Sequence, residues 1–132
     1  MIVLDASATL DLILDTTPFS TDISLRLVEH AGDLHAPHLL DAEVGHALRR
    51  HMLHGSLNAG RAEQAVADLR DLPISRYPHL RFLTRALRMG SNLSVYDALY
   101  VALAESLDAP LMTRDGRLAR AAGDLVDMIH VR

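Results

Sequence analysis

The chain has 132 residues, a length that fits a single domain (1–132) with a core of its own, and 49% of it is hydrophobic, which excludes a disordered polymer. It has no cysteine, and its 13 basic residues are all arginine, so disulfides, thiol nucleophiles, cysteine-ligated metal centres and lysine chemistry (P-loop or Schiff-base) are all excluded. The formal charge of −4 is not the basic excess of a typical nucleic-acid binder, yet acids that converge on a divalent ion can leave locally basic surface elsewhere, so the total decides nothing about a polyanionic substrate.

No apolar run is long enough to span a bilayer. The start, MIVLDAS, lacks the basic stretch of a signal peptide, so a cytoplasmic protein with no membrane attachment is expected. Met1 to Leu4 is a short, uniformly apolar run, the pattern of a strand buried on both faces. It ends at Asp5, where Ala6-Ser7-Ala8 turns into a helix carrying Leu10, Leu12, Ile13 and Leu14. A strand-to-helix turn places Asp5 at the carboxyl end of a strand, where ligands bind in open α/β sheets. Taken alone, Asp5 reads first as a helix cap, a common role for an acid at this position.

After a loop around Pro18, helical spacing returns from Thr21 to His30, and Leu34 to Ala36 reads as a second strand. The next segment, HLLDAEVGHALRRHMLHG, is a helix closed by Gly55. Glu43 lies in its first turns among apolar and small neighbours, so a partner or a metal is implied if it faces inward. Asp41 favours the helix N-terminus electrostatically, and Arg49, Arg50, His51 and His54 suit its C-terminal end. No H-E-x-x-H occurs, so zinc is not indicated.

Asn58 to Leu72 is another amphipathic helix, followed by Pro73-Ile74-Ser75 as a strand or a connector. A helix begun at Pro78 would place Arg81, Arg85 and Arg88 on one face, either solvated or open to a polyanion. Ser94 is then an N-cap, with Asp97 at the acidic position of a capping box and an apolar face running from Val95 to Leu107. Leu111-Met112-Thr113 is a short buried strand that delivers Asp115. A short helix with Arg117 and Arg120 follows, and Val126 to Val131 is a last strand. Alternating strands and helices predict a three-layer α/β/α domain with a mainly parallel central sheet.

Asp5, Asp97 and Asp115 thus fall at what should be one edge of that sheet, and Glu43 on a helix able to lean over it. Four carboxylates brought together repel unless they bind protons or a cation. All-oxygen donors suit Mg²⁺ or Mn²⁺, which support in-line phosphodiester displacement. With 13 aspartates in the chain, four unrelated surface acids is the competing reading.

MIVLDASA, LLDAEVGHALRR and SVYDALYVALAESLDAPLMTRDGRLARAA resemble, in order and spacing, the PIN-domain ribonucleases, and most closely the VapC-type toxins of bacterial toxin–antitoxin pairs. The resemblance implies a PIN-like fold and a Mg²⁺- or Mn²⁺-dependent endoribonuclease. It implies a metal site made by Asp5, Glu43, Asp97 and Asp115, with Ser7 and Thr113 in support. It also implies a VapB-type antitoxin whose C-terminal segment crosses the groove, a homodimer and toxin–antitoxin hetero-oligomers. Two other readings stand beside it. One is a PIN-like binding module without activity. The other is an aspartyl-nucleophile phosphatase, which the missing second acid in Asp5-Ala6-Ser7 and the missing lysine disfavour.

Overall fold

A computed structural model describes residues 1–132. Five short parallel strands form one sheet: β1 (Ile2–Leu4), β2 (Leu34–Pro37), β3 (Ile74–Tyr77), β4 (Leu111–Thr113) and β5 (Met128–His130), in the spatial order β3-β2-β1-β4-β5. Parallel neighbours require crossovers, and helices supply them: α1 (Ala6–Ile13), α2 (Phe19–Glu29), α3 (Leu39–Leu53), α4 (Ala59–Asp71), α5 (Leu83–Leu87), α6 (Val95–Leu107) and α7 (Gly116–Ala122). The chain builds outward from β1 to β2 and β3, then returns to lay β4 on the other side of β1. The switch point therefore lies between β1 and β4, the two strands that end in Asp5 and in Thr113-Arg114-Asp115.

Alternation along the strands divides the core in two. Ile2, Leu4 and Met112 pack with Ile23 and Leu27 of α2. Val3, Ala36 and Leu111 turn to the opposite face, against a larger cluster drawn from α3, α4, α5 and α6. The periodicity of α6 predicts one apolar face, but every residue from Ala98 to Ala104 is buried. A helix buried all round is the central element of its layer, and alanines at 98, 102 and 104 let the sheet and α5 approach it closely. Leu103, fully buried there, is expected to cost about 2–5 kcal/mol on truncation to alanine, measured by denaturant unfolding.

The single helix expected from Pro78 is instead a 3-10 turn over Leu80–Phe82 followed by the five-residue α5. The Phe82 N–H bonds the His79 carbonyl, which tightens that first turn, and the Phe82 ring is driven into the core. The arginine face dissolves with it. Arg85 makes a bidentate pair with Glu105 at 2.7 and 2.8 Å, and the Arg81 guanidinium lies over Phe82, 5.0 Å from its ring centre. Glu105 is eight residues beyond Asp97 on α6, roughly 12 Å along the helix axis, so Arg85 sits at the far end from the acids. No helix is long and apolar enough to cross a membrane.

Candidate functional site

At the carboxyl edge of β1 and β4 a cleft of about 670 Å³ opens, and Asp5, Glu43, Asp97 and Asp115 all line it. One wall is made by β1 and β4 with the starts of α1, α6 and α7. The facing wall is α3, through Leu39, Glu43, His46 and Arg50. The spacing of three and four residues from Glu43 to His46 to Arg50 keeps these side chains on one helix face. The four acids named from the sequence are therefore brought to one cavity.

Asp5 is the most confined of them, at 6% exposure. One oxygen accepts from the Ala8 N–H (3.0 Å) and the Ser7 hydroxyl (2.7 Å), and the other accepts from the Thr113 hydroxyl. It is thus both the N-cap of α1 and a wall of the cleft, so the two readings open in the sequence hold together. Burial pushes its carboxyl up to about 6. The Ala8, Thr113 and Ser7 hydrogen bonds oppose that rise, and the nearby Asp115 charge adds to it. Ser7 and Thr113 do more than hold Asp5: the Arg114 N–H donates to Ser7 Oγ (2.9 Å) and the Asp115 N–H to Thr113 Oγ1 (2.9 Å). These two hydroxyls stitch the end of β4 to the end of β1.

Asp115 repeats the pattern of Asp5. Its Oδ1 accepts from the Arg117 and Leu118 N–H groups at 2.9 and 3.3 Å, capping α7 while the side chain lines the cleft. At Asp97 only half of the expected capping box forms. Ser94 Oγ accepts from the Asp97 N–H (3.0 Å), but the Asp97 carboxylate is bound by the Arg117 guanidinium, Nη2 to Oδ2, at 2.9 Å. Ser94 caps α6 alone, which leaves Asp97 facing the cleft.

Glu43 projects from α3, where its Oε1 accepts from the Tyr100 hydroxyl at 2.7 Å. Tyr100 is 1% exposed, so its hydroxyl requires a partner inside the protein. Burial, then the Glu43 charge and hydrogen bond, hold the phenol far above its ordinary pKa, as a permanent donor. Pairing Glu43 to a residue 57 positions away was beyond the reach of local pattern, by which Tyr96 and Tyr100 suit core or dimer packing.

Arg114 and Arg117 are the other residues that motif reading passed over. Arg114 is structural: it donates to Asp11 (2.6 Å), reaches the Val131 carbonyl (3.2 Å), and its guanidinium lies 3.3 Å from the centre of the Phe19 ring. It fixes the direction in which the chain leaves β4, and so the place of Asp115. Asp41, expected to serve the α3 N-terminus, makes a bidentate pair with Arg76 at 2.7 and 2.9 Å. Of the arginines considered for α3, Arg50 lines the cleft and Arg49 does not.

The fit to a metal ion has two sides. No three Asp, Glu or His side chains are gathered closely enough to hold an ion between them as they stand, and Arg117 occupies two of the acids. The chemistry of the donor set nevertheless fits a hard divalent cation. It is all oxygen, it carries several negative charges in one cleft, and it includes a buried carboxylate whose ionised form burial disfavours and a cation would favour.

The sequence model of the PIN domain matches residues 2–124. The chain is 44% identical over 122 residues to Ribonuclease VapC1 of Mycobacterium tuberculosis, covering 92% of this chain and 90% of that one. To Ribonuclease VapC12 of the same organism it is 41% identical over 123 residues, or 93% of each chain. The crystal structure of PAE2754 from Pyrobaculum aerophilum superposes with a TM-score of 0.69 at 27% identity, over 96% of this chain and 82% of that one.

Proposed function

This chain belongs to the PIN-domain family, and within it to the VapC-type ribonuclease toxins, and from that premise we propose that its cleft hydrolyses RNA phosphodiester bonds with a bound Mg²⁺ or Mn²⁺. The observation that carries the reading is the meeting of Asp5, Glu43, Asp97 and Asp115 in one cleft at the sheet's switch point.

Asp5, Asp97 and Asp115 would hold the ion, with Glu43 completing the site or orienting the attacking water. A divalent ion bound there supplies an acidified water and neutralises charge building on the phosphate. The chain's own contribution is positioning. Ser7, Thr113 and the Ala8 N–H fix both oxygens of Asp5, so little freedom is lost when that carboxylate is used. Near neutral pH, above its raised pKa, the group is mostly ionised. Tyr100 fixes Glu43 by a hydrogen bond that burial keeps from ionising. Arg50 and His46, on the facing wall, are the groups placed to contact phosphates along the strand, and with no lysine in the chain that work falls to arginine and histidine.

Tyr100→Phe removes the hydrogen bond and keeps the ring. It is expected to slow cleavage by about 10–100-fold, the usual loss for a residue that orients a ligand. Comparing cleavage rates at saturating Mg²⁺ with thermal melting separates that effect from simple unfolding. As the toxin of a pair, the protein is also proposed to bind a VapB-type antitoxin across the cleft and to form homodimers and larger hetero-oligomers. Exposed Leu80 and Leu87 suit such contacts. The function is tested on total cellular RNA: discrete fragments with Mg²⁺ and none in excess EDTA support it, while equal cleavage under both conditions overturns it.

A further inference from the structure

The acids of α6 and α7 are held together by one atom. Nη2 of Arg117 stands 2.9 Å from Asp97 Oδ2 and 3.6 Å from Asp115 Oδ2. Asp97 Oδ2 has no other hydrogen-bond donor, and the remaining oxygen of Asp115 is committed to capping α7. The side chain that does this is more than half exposed and comes from the first turn of α7. Its backbone N–H is bound to Asp115 Oδ1, so the residue is tethered at the cleft while its guanidinium can swing. On the facing wall Arg50 supplies positive charge on the side of Glu43, but it pairs with no acid.

We propose that Arg117 is the internal counter-cation of the ion-free cleft: its guanidinium neutralises Asp97 and Asp115 until a divalent ion displaces it from both. The inference rests on the reading that these carboxylates bind such an ion. It follows from charge balance. Two carboxylates facing one cleft repel, a cation between them offsets that repulsion, and here the cation is part of the chain. An exposed guanidinium pair is weak and screened, so it offsets the charge of the acids without closing them to a doubly charged ion. Displacement also frees a planar fork of donors two residues from Asp115, well suited to a phosphate oxygen.

Each divalent ion that binds must break the Arg117 contacts and tolerate the guanidinium's charge nearby. Arg117→Gln removes both obstacles while keeping a polar side chain at an exposed position. Mn²⁺ titrated calorimetrically into metal-stripped protein at low salt is therefore expected to bind Arg117→Gln about five- to tenfold more tightly than wild type. Arg120→Gln changes the net charge equally from the same helix and should leave the affinity within about twofold of wild type. Arg117→Lys, which keeps the charge and loses the fork, should fall between. Unchanged or weaker Mn²⁺ binding by Arg117→Gln overturns the proposal with the metal site intact, as does equal tightening by Arg120→Gln. Absence of Mn²⁺ binding by all the proteins, wild type included, would instead overturn the metal-site reading on which the proposal depends.

Discussion

Asp97→Asn is expected to lower RNA cleavage at saturating Mg²⁺ by at least about a hundredfold, because even residues that merely orient a metal ligand cost 10–100-fold when removed. The change is small in shape and large in charge. Helix α6 begins where it does because Ser94 Oγ accepts from the residue 97 N–H, and asparagine keeps that N–H. The carboxylate itself makes no bond to the helix; its partner is Arg117, a contact between groups in contact with solvent. Thermal stability should accordingly stay within about 0.5 kcal/mol of wild type, as for most surface changes. An inactive, fully folded variant is the signature of a residue held for chemistry. Loss of activity in step with loss of folding would assign Asp97 a structural task instead.

Asp5→Asn should separate function from stability in the opposite sense: activity lost, and metal-free protein made more stable at neutral pH. Burial raises the Asp5 carboxyl from 3.8 to about 6 in the folded chain. The folded state therefore binds this proton more tightly than the unfolded state does. Its contribution to stability is fully present below about pH 4 and is lost as pH rises towards about 6. Above that, the ionised group costs up to about 3 kcal/mol, at 1.36 kcal/mol per pKa unit. Asparagine keeps an oxygen for the Ala8 N–H and the Ser7 hydroxyl, and its amide can donate to Thr113 Oγ1. Denaturant unfolding in EDTA should show Asp5→Asn gaining stability over wild type near pH 7 and little or none near pH 4. A variant less stable than wild type near pH 7 would mean that the three hydrogen bonds to the carboxylate outweigh its burial.

That a buried acid is kept at such a cost makes sense where a cation restores the balance, and the same logic explains what the sequence could and could not reveal. Strands β1 and β4 were readable because both are short, largely apolar runs with an acid just beyond them, and the PIN-like parallel sheet followed from the alternation of such strands with helices. Three of the four acids were readable because Asp5 and Asp115 sit at strand-to-helix turns and Asp97 in the first turn of a capped helix, positions defined by local pattern. That an acid of the cleft also caps a helix was foreseeable, but the capping falls at Asp5 and Asp115 and not at Asp97. At Asp5 and Asp115 one carboxylate serves both the helix and the cleft, whereas Asp97 is free of the cap because Ser94 supplies it alone.

What local pattern could not give was side-chain direction set by tertiary packing. The Tyr100–Glu43 bond joins α6 to α3 across 57 residues, and nothing in either helix alone points to it. The all-round burial of α6 comes from what surrounds it, since its small residues are compatible with one packed face or several. The arginines at 81, 85 and 88 share a face only on a straight helix, and the inward pull on Phe82 bends the segment so that Arg85 meets Glu105 instead. Arg117 stands two residues from Asp115, where dipole arguments give arginine no reason to be at a helix start. That misplacement was the one visible signal of its pairing with both acids.

The central claim is that these carboxylates serve a metal-activated water, and the ends of the RNA fragments report on it directly. Hydrolysis by in-line attack of water, with the 3′ oxygen leaving, gives 5′-phosphate and 3′-hydroxyl ends. Attack by the neighbouring 2′-hydroxyl would give 2′,3′-cyclic phosphate ends and needs no such ion. Mass spectrometry of fragments from a defined RNA should find only 5′-phosphate and 3′-hydroxyl ends, formed with Mg²⁺ and absent in EDTA. Cyclic phosphate ends, or fragments formed equally in EDTA, would contradict the account.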